Sequence, residues 1–164
     1  MAQSGQGTAA AERIREGIAA MQATGARRVE SIVLGLLAEA LATTGAVTKA
    51  IEMLAEALAA AKACGADWAD AELHRLRGEL LQGQSLPDWA EIERAFRTSL
   101  AVAHEQRTRG FELRAAISLA RLLSNLERRD EARDVLAPLY GWFTEGFDTP
   151  DLKEAKALLD ELNT

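Results

Sequence analysis

Apolar residues recur at spacings of three and four along most of this chain, which is the period of one face of an α-helix. The pattern is clearest over residues 31–63, where two such faces meet at a turn over residues 43–46. The first face consists of Leu34, Leu37, Ala38 and Leu41, and the second consists of Ala50, Leu54, Ala57 and Leu58. Small residues stand where two helices would cross closely, so the stretch predicts a helical hairpin.

The same spacing continues downstream and predicts an all-α chain of about eight helices. Alanine and leucine dominate, β-branched residues are few, and only three prolines occur, which favours helices over strands. We expect one helical-repeat domain over residues 8–164, preceded by a flexible leader over residues 1–7. Its predicted elements are a flanking helix over 8–24, hairpins near 26–65, 66–110 and 111–146, and a flanking helix over 149–162.

Glycine, proline and short polar residues predict where the helices begin and end. The predicted stops are Gly25, Gly65 and Gly110, and the predicted N-terminal caps are Asp67, Asp130 and Thr149. Pro87 is expected in the first turn of the helix that carries Trp89, and Pro150 in the first turn of the last helix. Pro138 lies inside a predicted helix, where it favours a kink or an early end.

A repeat underlies this order of elements. The intervals from Gly25 to Gly65 and from Gly65 to Gly110 are 40 and 45 residues. Matching positions hold Ala38, Ala50 and Leu54 in the first unit, Gly78 and Phe96 in the second, and Ala120, Ala132 and Leu136 in the third. Because a single hairpin cannot bury its apolar face alone, we expect the units to stack as a right-handed solenoid.

These small residues at these intervals resemble the tetratricopeptide repeat, most closely over residues 31–63 and 113–139. The segments CGADWADAELHRLRGELL, FELRAAISLARLL and LAPLYGWFTEGFDTPDLKEAKALLDEL are also similar to the C-terminal repeat region of large bacterial regulators. Such regulators join a nucleotide cyclase or a signalling NTPase domain to tetratricopeptide-like repeats. The resemblance implies a sensing or protein-interaction role with catalysis elsewhere, and this chain contains no GxxxxGK(S/T) loop.

Charge and cysteine content narrow the expected partners and setting. The chain carries 25 acidic and 19 basic residues, a net charge of −6, which argues against general nucleic-acid binding. Its single cysteine, Cys64, allows no internal disulfide, so a cytoplasmic setting is expected. No apolar run reaches the ~18–20 residues that a membrane span needs, and the N-terminus lacks the pattern of a secretory signal.

The sequence predicts no cofactor, no metal site and no catalytic group. His74 and His104 lie on different predicted helices, and neither has a second histidine at helical spacing. Cys64 has no histidine beside it and is expected to be a buried or half-buried small residue. No Ser/His/Asp arrangement can be proposed, so we expect a protein that is not an enzyme.

One charged stripe is the candidate binding surface. Arg114, Arg121 and Asn125 stand at intervals of seven and four residues and therefore share one face of a predicted helix. In a tetratricopeptide-like stack, the first helix of each pair lines a concave groove. The predicted groove residues are Glu39 on one such helix, Glu72, Arg75 and Glu79 on the next, and Arg114, Arg121 and Asn125 on the third.

The stripe leaves two interpretations open. Arg114 and Arg121 could accept a carboxylate or a phosphate, because a guanidinium group makes two-point contacts with such anions. Alternatively, they pair with Glu72 and Glu79 of the neighbouring helix and only solvate the groove. We expect an interaction or regulatory module that binds a protein or peptide segment in the groove or through its end faces. The alternatives are a small-ligand sensor with an anion-accepting pocket and a homodimer formed through an apolar end face.

Overall fold

A computed structural model describes residues 12–14, 16–17, 20, 30–65 and 67–164, apart from the side chains of Glu30 and Cys64. Every regular element in this part of the chain is a helix, so the all-α prediction is confirmed there. The predicted leader over 1–7, the stop at Gly25 and most of the flanking helix over 8–24 lie outside the described residues. The expected burial of Cys64 also lies outside them.

Seven α-helices and one short 3-10 turn follow from Glu30 onward. They are α1 (Glu30–Thr43), α2 (Val47–Cys64), the 3-10 turn (Asp67–Ala69), α3 (Asp70–Gln82), α4 (Trp89–Glu105), α5 (Arg109–Asn125), α6 (Arg129–Tyr140) and α7 (Pro150–Leu162). Within the described residues, no helix has the length and apolar character required to cross a membrane.

The helices contact one another in a regular order. Each helix packs against the next one in sequence, and the short connections make α1 with α2, α3 with α4, and α5 with α6 into hairpins. A second series of contacts joins alternate helices: α1 touches α3, α3 touches α5, and α5 touches α7. The odd-numbered helices are therefore neighbours of one another, and they carry all the residues of the predicted charged stripe.

The positions that the repeat makes equivalent all lie in the core. The fully buried side chains among them are Ala38, Ala50, Leu54, Phe96, Ala120, Ala132 and Leu136. Gly78 is buried as well, and a Cβ added there would lie 2.4 Å from the Phe96 ring. Because real Cβ atoms do not approach other atoms that closely, glycine at this position is what lets the Phe96 ring pack directly against the α3 backbone.

Two glycines predicted as helix stops have different outcomes. Gly65 follows α2 in the left-handed conformation, with φ of 60°, so its predicted role is confirmed. The predicted stop at Gly110 is wrong, because α4 already ends at Glu105 and Gly110 lies in the first turn of α5. Arg107 closes the intervening turn with φ of 56°. The boundary between the second and third hairpins therefore lies before residue 110.

Several predicted helix starts are also displaced. Asp88, and not the preceding proline, begins α4: its carboxylate accepts hydrogen bonds from the N–H groups of Ala90 at 3.0 Å and Glu91 at 3.2 Å. Asp67 begins the 3-10 turn instead of capping α3, and Asp130 lies in the first turn of α6. Pro150 is the first residue of α7, and α6 ends two residues beyond Pro138, as predicted. Thr149 takes the N-cap position of α7, but its hydroxyl donates to the Gly146 carbonyl instead of accepting from the helix.

Replacing Gly78 by alanine is expected to destabilise the protein by about 1–3 kcal/mol, because the new methyl group overlaps the fully buried Phe96 ring. Urea denaturation monitored by circular dichroism measures this change. Gly110→Ala is the matched control, since a Cβ there meets no atom within 4 Å. It should leave the free energy of unfolding unchanged or slightly raised, and equal stability of the two variants would contradict the packing argument.

Candidate binding pocket

A pocket of about 390 Å³ lies between α3, α5 and α7, and we call it the polar pocket. Six of its ten lining residues are charged, so its chemistry is that of ion pairs and not of an apolar cavity. The lining residues are Arg75, Glu79 and Gln82 of α3, Phe96 of α4, Arg114, Ile117, Ser118 and Arg121 of α5, and Asp151 and Glu154 of α7.

A buried ion pair on α3 stands beside the polar pocket. Glu72 and Arg75 are only 6% and 7% exposed, and they lie one helical turn apart. The Nε and Nη2 groups of Arg75 donate to the two carboxylate oxygens of Glu72, each at 2.8 Å. The Nη1 group of Arg75 donates to Oε1 of Glu79. This two-point pairing compensates for removing both charges from water.

The surroundings of Arg75 keep its guanidinium group charged. Burial alone would lower the pKa of Arg75, but its hydrogen bonds to Glu72 and the charges of Glu72, Glu79 and Glu39 outweigh that effect. The pKa of Arg75 is therefore raised above its ordinary value. Arg75 is a constant positive charge at one wall of the polar pocket.

Two contacts tie the glutamates of α3 to α5. Nη2 of Arg114 lies 3.0 Å from Oε1 of Glu72, which is the pairing that the groove-solvating interpretation predicts. The hydroxyl of Ser118 donates to Oε1 of Glu79 at 3.2 Å. Each glutamate thus joins Arg75 to one residue of α5, and the two helices are held in a defined register.

Arg121 does not pair with Glu79, so that part of the groove-solvating interpretation is wrong. Its Nη2 group lies 3.1 Å from Oε1 of Glu154 on α7. Arg75 and Ser118 already occupy the Glu79 carboxylate, and the contact between α5 and α7 brings Glu154 within reach. The Arg121 and Glu154 side chains are 58% and 40% exposed, so this ion pair lies at the solvent side of the pocket.

Glu39 and Asn125, the outermost residues of the predicted stripe, do not line the polar pocket. Glu39 on α1 lies at the edge of the pocket and is exposed. The pKa of its carboxyl is raised, mainly by partial burial and also by the charges of Glu72 and Glu79, although Arg75 opposes this shift. Asn125 is exposed at the end of α5 and lies away from the pocket. The structure therefore brings five of the predicted residues together: Glu72, Arg75, Glu79, Arg114 and Arg121.

The carboxylates of α7 are the part of the pocket that sequence reasoning missed. Asp151 and Glu154 stand near the start of the last predicted helix, where acidic residues interact favourably with the helix dipole, and this position alone predicts no binding role. The missed signal is their spacing of three residues, which places both on one face beside the buried stripe that begins at Leu152. The contact of α7 with α5 is a tertiary feature that no local sequence pattern predicts.

The two histidines lie elsewhere in the structure. Nδ1 of His104 lies 2.8 Å from Oε1 of the buried Glu112, which also accepts a hydrogen bond from Arg109 at 2.5 Å. Burial and the nearby Arg77 lower the pKa of His74. No group of three or more His, Cys, Asp or Glu side chains suited to a metal ion occurs in the described part of the chain.

Comparison with known proteins adds no family assignment. The chain matches no family model, and no curated protein shows significant similarity to it. The class that the structure defines is an all-helical domain of packed neighbouring hairpins, with a charged pocket on the face of its odd-numbered helices.

Replacing Arg75 by alanine is expected to destabilise the fold by about 3 kcal/mol, because it leaves the buried Glu72 carboxylate without its principal partner. Chemical denaturation measures the loss. The double variant Glu72→Gln with Arg75→Met removes both charges and should recover most of the lost stability.

Arg77→Ala is the matched control on the same helix. Arg77 pairs with Glu91 at 2.8 Å, but both side chains are more than a third exposed, so its loss should cost less than about 1 kcal/mol. If Arg75→Ala and Arg77→Ala reduce stability equally, the buried ion pair does not have the structural importance assigned to it.

Proposed function

We propose that the hairpins stack as a tetratricopeptide-like right-handed solenoid, with α1, α3, α5 and α7 along its concave side. The contacts between successive odd-numbered helices support this arrangement, because the first helix of each unit touches the first helix of the next in such stacks. The burial of the same small residues in successive units supports it as well.

On this arrangement, the chain is a non-enzymatic interaction or regulatory module that binds a segment of a partner protein in the concave groove. The observation that carries this proposal is the polar pocket, which three helices of the proposed concave side build jointly. Five of its six charged lining side chains are held in ion pairs before any ligand arrives. Such preorganisation lowers the entropy lost when a polar segment binds. The resemblance of the sequence motifs to the repeat region of bacterial regulators implies the same role.

The chemistry of the pocket supports a binding role over a catalytic one. Its hydroxyl group, on Ser118, donates to a Glu79 carboxylate that Arg75 already engages. Nucleophilic catalysis needs a free base beside the nucleophile and a third group that orients the base. The Glu79 carboxylate is held by Arg75 and Ser118 instead, and the lining arginines are held in ion pairs.

A small-ligand sensor is the second candidate, and the pocket volume of about 390 Å³ favours it, because it falls within the usual range of ligand sites. The lining favours the first candidate. Small-molecule sites are predominantly apolar with a few polar groups, whereas here Phe96 and Ile117 are the apolar side chains among ten lining residues. A polypeptide segment with charged side chains matches this lining better.

Filling the pocket provides the test. Gln82 lines the pocket at the last residue of α3, and Gln82→Trp places a large ring there with little effect on the core. Peptides selected from a random display library on the unaltered protein should bind this variant at least about tenfold more weakly, measured by fluorescence anisotropy.

Gln84→Trp is the control, because Gln84 is exposed in the connection between α3 and α4. It should leave peptide affinity unchanged. Peptides that bind both variants as tightly as the unaltered protein would show that the groove is not the binding surface.

A further inference from the structure

The charges in the lining of the polar pocket balance. Its three guanidinium groups belong to Arg75, Arg114 and Arg121, and its three carboxylates belong to Glu79, Asp151 and Glu154. Glu72, beside the pocket, pairs with both Arg75 and Arg114 and adds one negative charge. This excess favours a cation over an anion in the pocket.

The arginines are already occupied by carboxylates of the protein. Arg75 is held by Glu72 and Glu79, Arg114 pairs with Glu72, and Arg121 pairs with Glu154. An incoming carboxylate or phosphate would have to displace these glutamates, and displacement at Glu72 would strand a buried charge. Anion binding is therefore opposed by the contacts that hold α3 against α5.

The carboxylates, in contrast, retain the capacity to accept hydrogen bonds. The Glu79 and Glu154 side chains are 44% and 40% exposed. Asp151 lies in the first turn of α7, is half-buried, and forms no ion pair with any other described residue. Each carboxylate accepts up to about four hydrogen bonds, so the α7 side of the pocket has acceptors to spare.

We propose that the polar pocket binds a cationic side chain, arginine or lysine, of the partner segment, with Asp151 and Glu154 as its principal acceptors. This inference rests on the proposed groove-binding function and replaces anion binding, which was one of the two interpretations of the arginine stripe. Charge complementarity supports it, since Asp151 has no ion-pair partner among the described residues, whereas each lining arginine has one.

The two ends of one ion pair provide the experiment. Blocked arginine (N-acetyl-arginine methylamide) is titrated into isotopically labelled protein, and binding is followed by backbone amide chemical shifts. Glu154→Gln should weaken binding by about threefold to tenfold, because it removes a negative charge, whereas Arg121→Gln should strengthen it by a similar factor, because it frees Glu154. Asp160→Asn, an exposed acid on the same helix, is the control and should change nothing.

The opposite effects expected for Glu154→Gln and Arg121→Gln on binding distinguish this proposal from a general loss of structure and from anion binding. If breaking the pair merely loosened the structure, both variants would shift binding in the same direction, and the proposal would fail. Stronger binding of blocked glutamate (N-acetyl-glutamate methylamide) than of blocked arginine would overturn it in favour of an anion site. A lack of saturable changes in the amide chemical shifts with blocked arginine would also overturn it. If peptide binding still responds to Gln82→Trp in those cases, the groove function stands and only the cation assignment is lost.

Discussion

A buried arginine requires carboxylate partners, and on α3 this requirement fixes the position of the groups around Arg75. Removing a guanidinium group and a carboxylate from water costs several kcal/mol for each ion, which only close and complete pairing offsets. Glu72 provides that pairing and then extends it to Arg114 on α5. The ion pairs of Glu72 with Arg75 and Arg114 therefore hold α3 against α5, and their geometry is established before any partner binds.

Core packing and pocket architecture depend on the same residues. Phe96 is fully buried and also lines the polar pocket, and it reaches that position because Gly78 leaves room for its ring against α3. A substitution that alters this packing would therefore change the shape of the polar pocket, even though it replaces no charged group.

Much of the architecture could be predicted from the sequence because it is encoded locally. The spacing of apolar residues predicts the helices, and the matching small residues predict the buried crossing points. Glu72, Arg75 and Arg114 could be grouped because they occupy corresponding positions on the first helices of successive predicted repeat units. Gly110 misled the prediction, since glycine tolerates a helix start as well as a stop, and Arg107 rather than glycine takes the left-handed turn. The partner of Arg121 depended on the approach of α7, which only tertiary structure supplies.

The central claim is that Glu72 couples α3 to α5 through Arg114. A double-mutant cycle with Glu72→Gln, Arg114→Gln and the two combined, measured by chemical denaturation, tests it most directly. We expect a favourable coupling energy of about 1–3 kcal/mol between Glu72 and Arg114, because Glu72 is buried and the two charged groups lie 3.0 Å apart. A coupling energy near zero would mean that the helices are positioned by apolar packing alone, and that the charges of the groove are not fixed before binding.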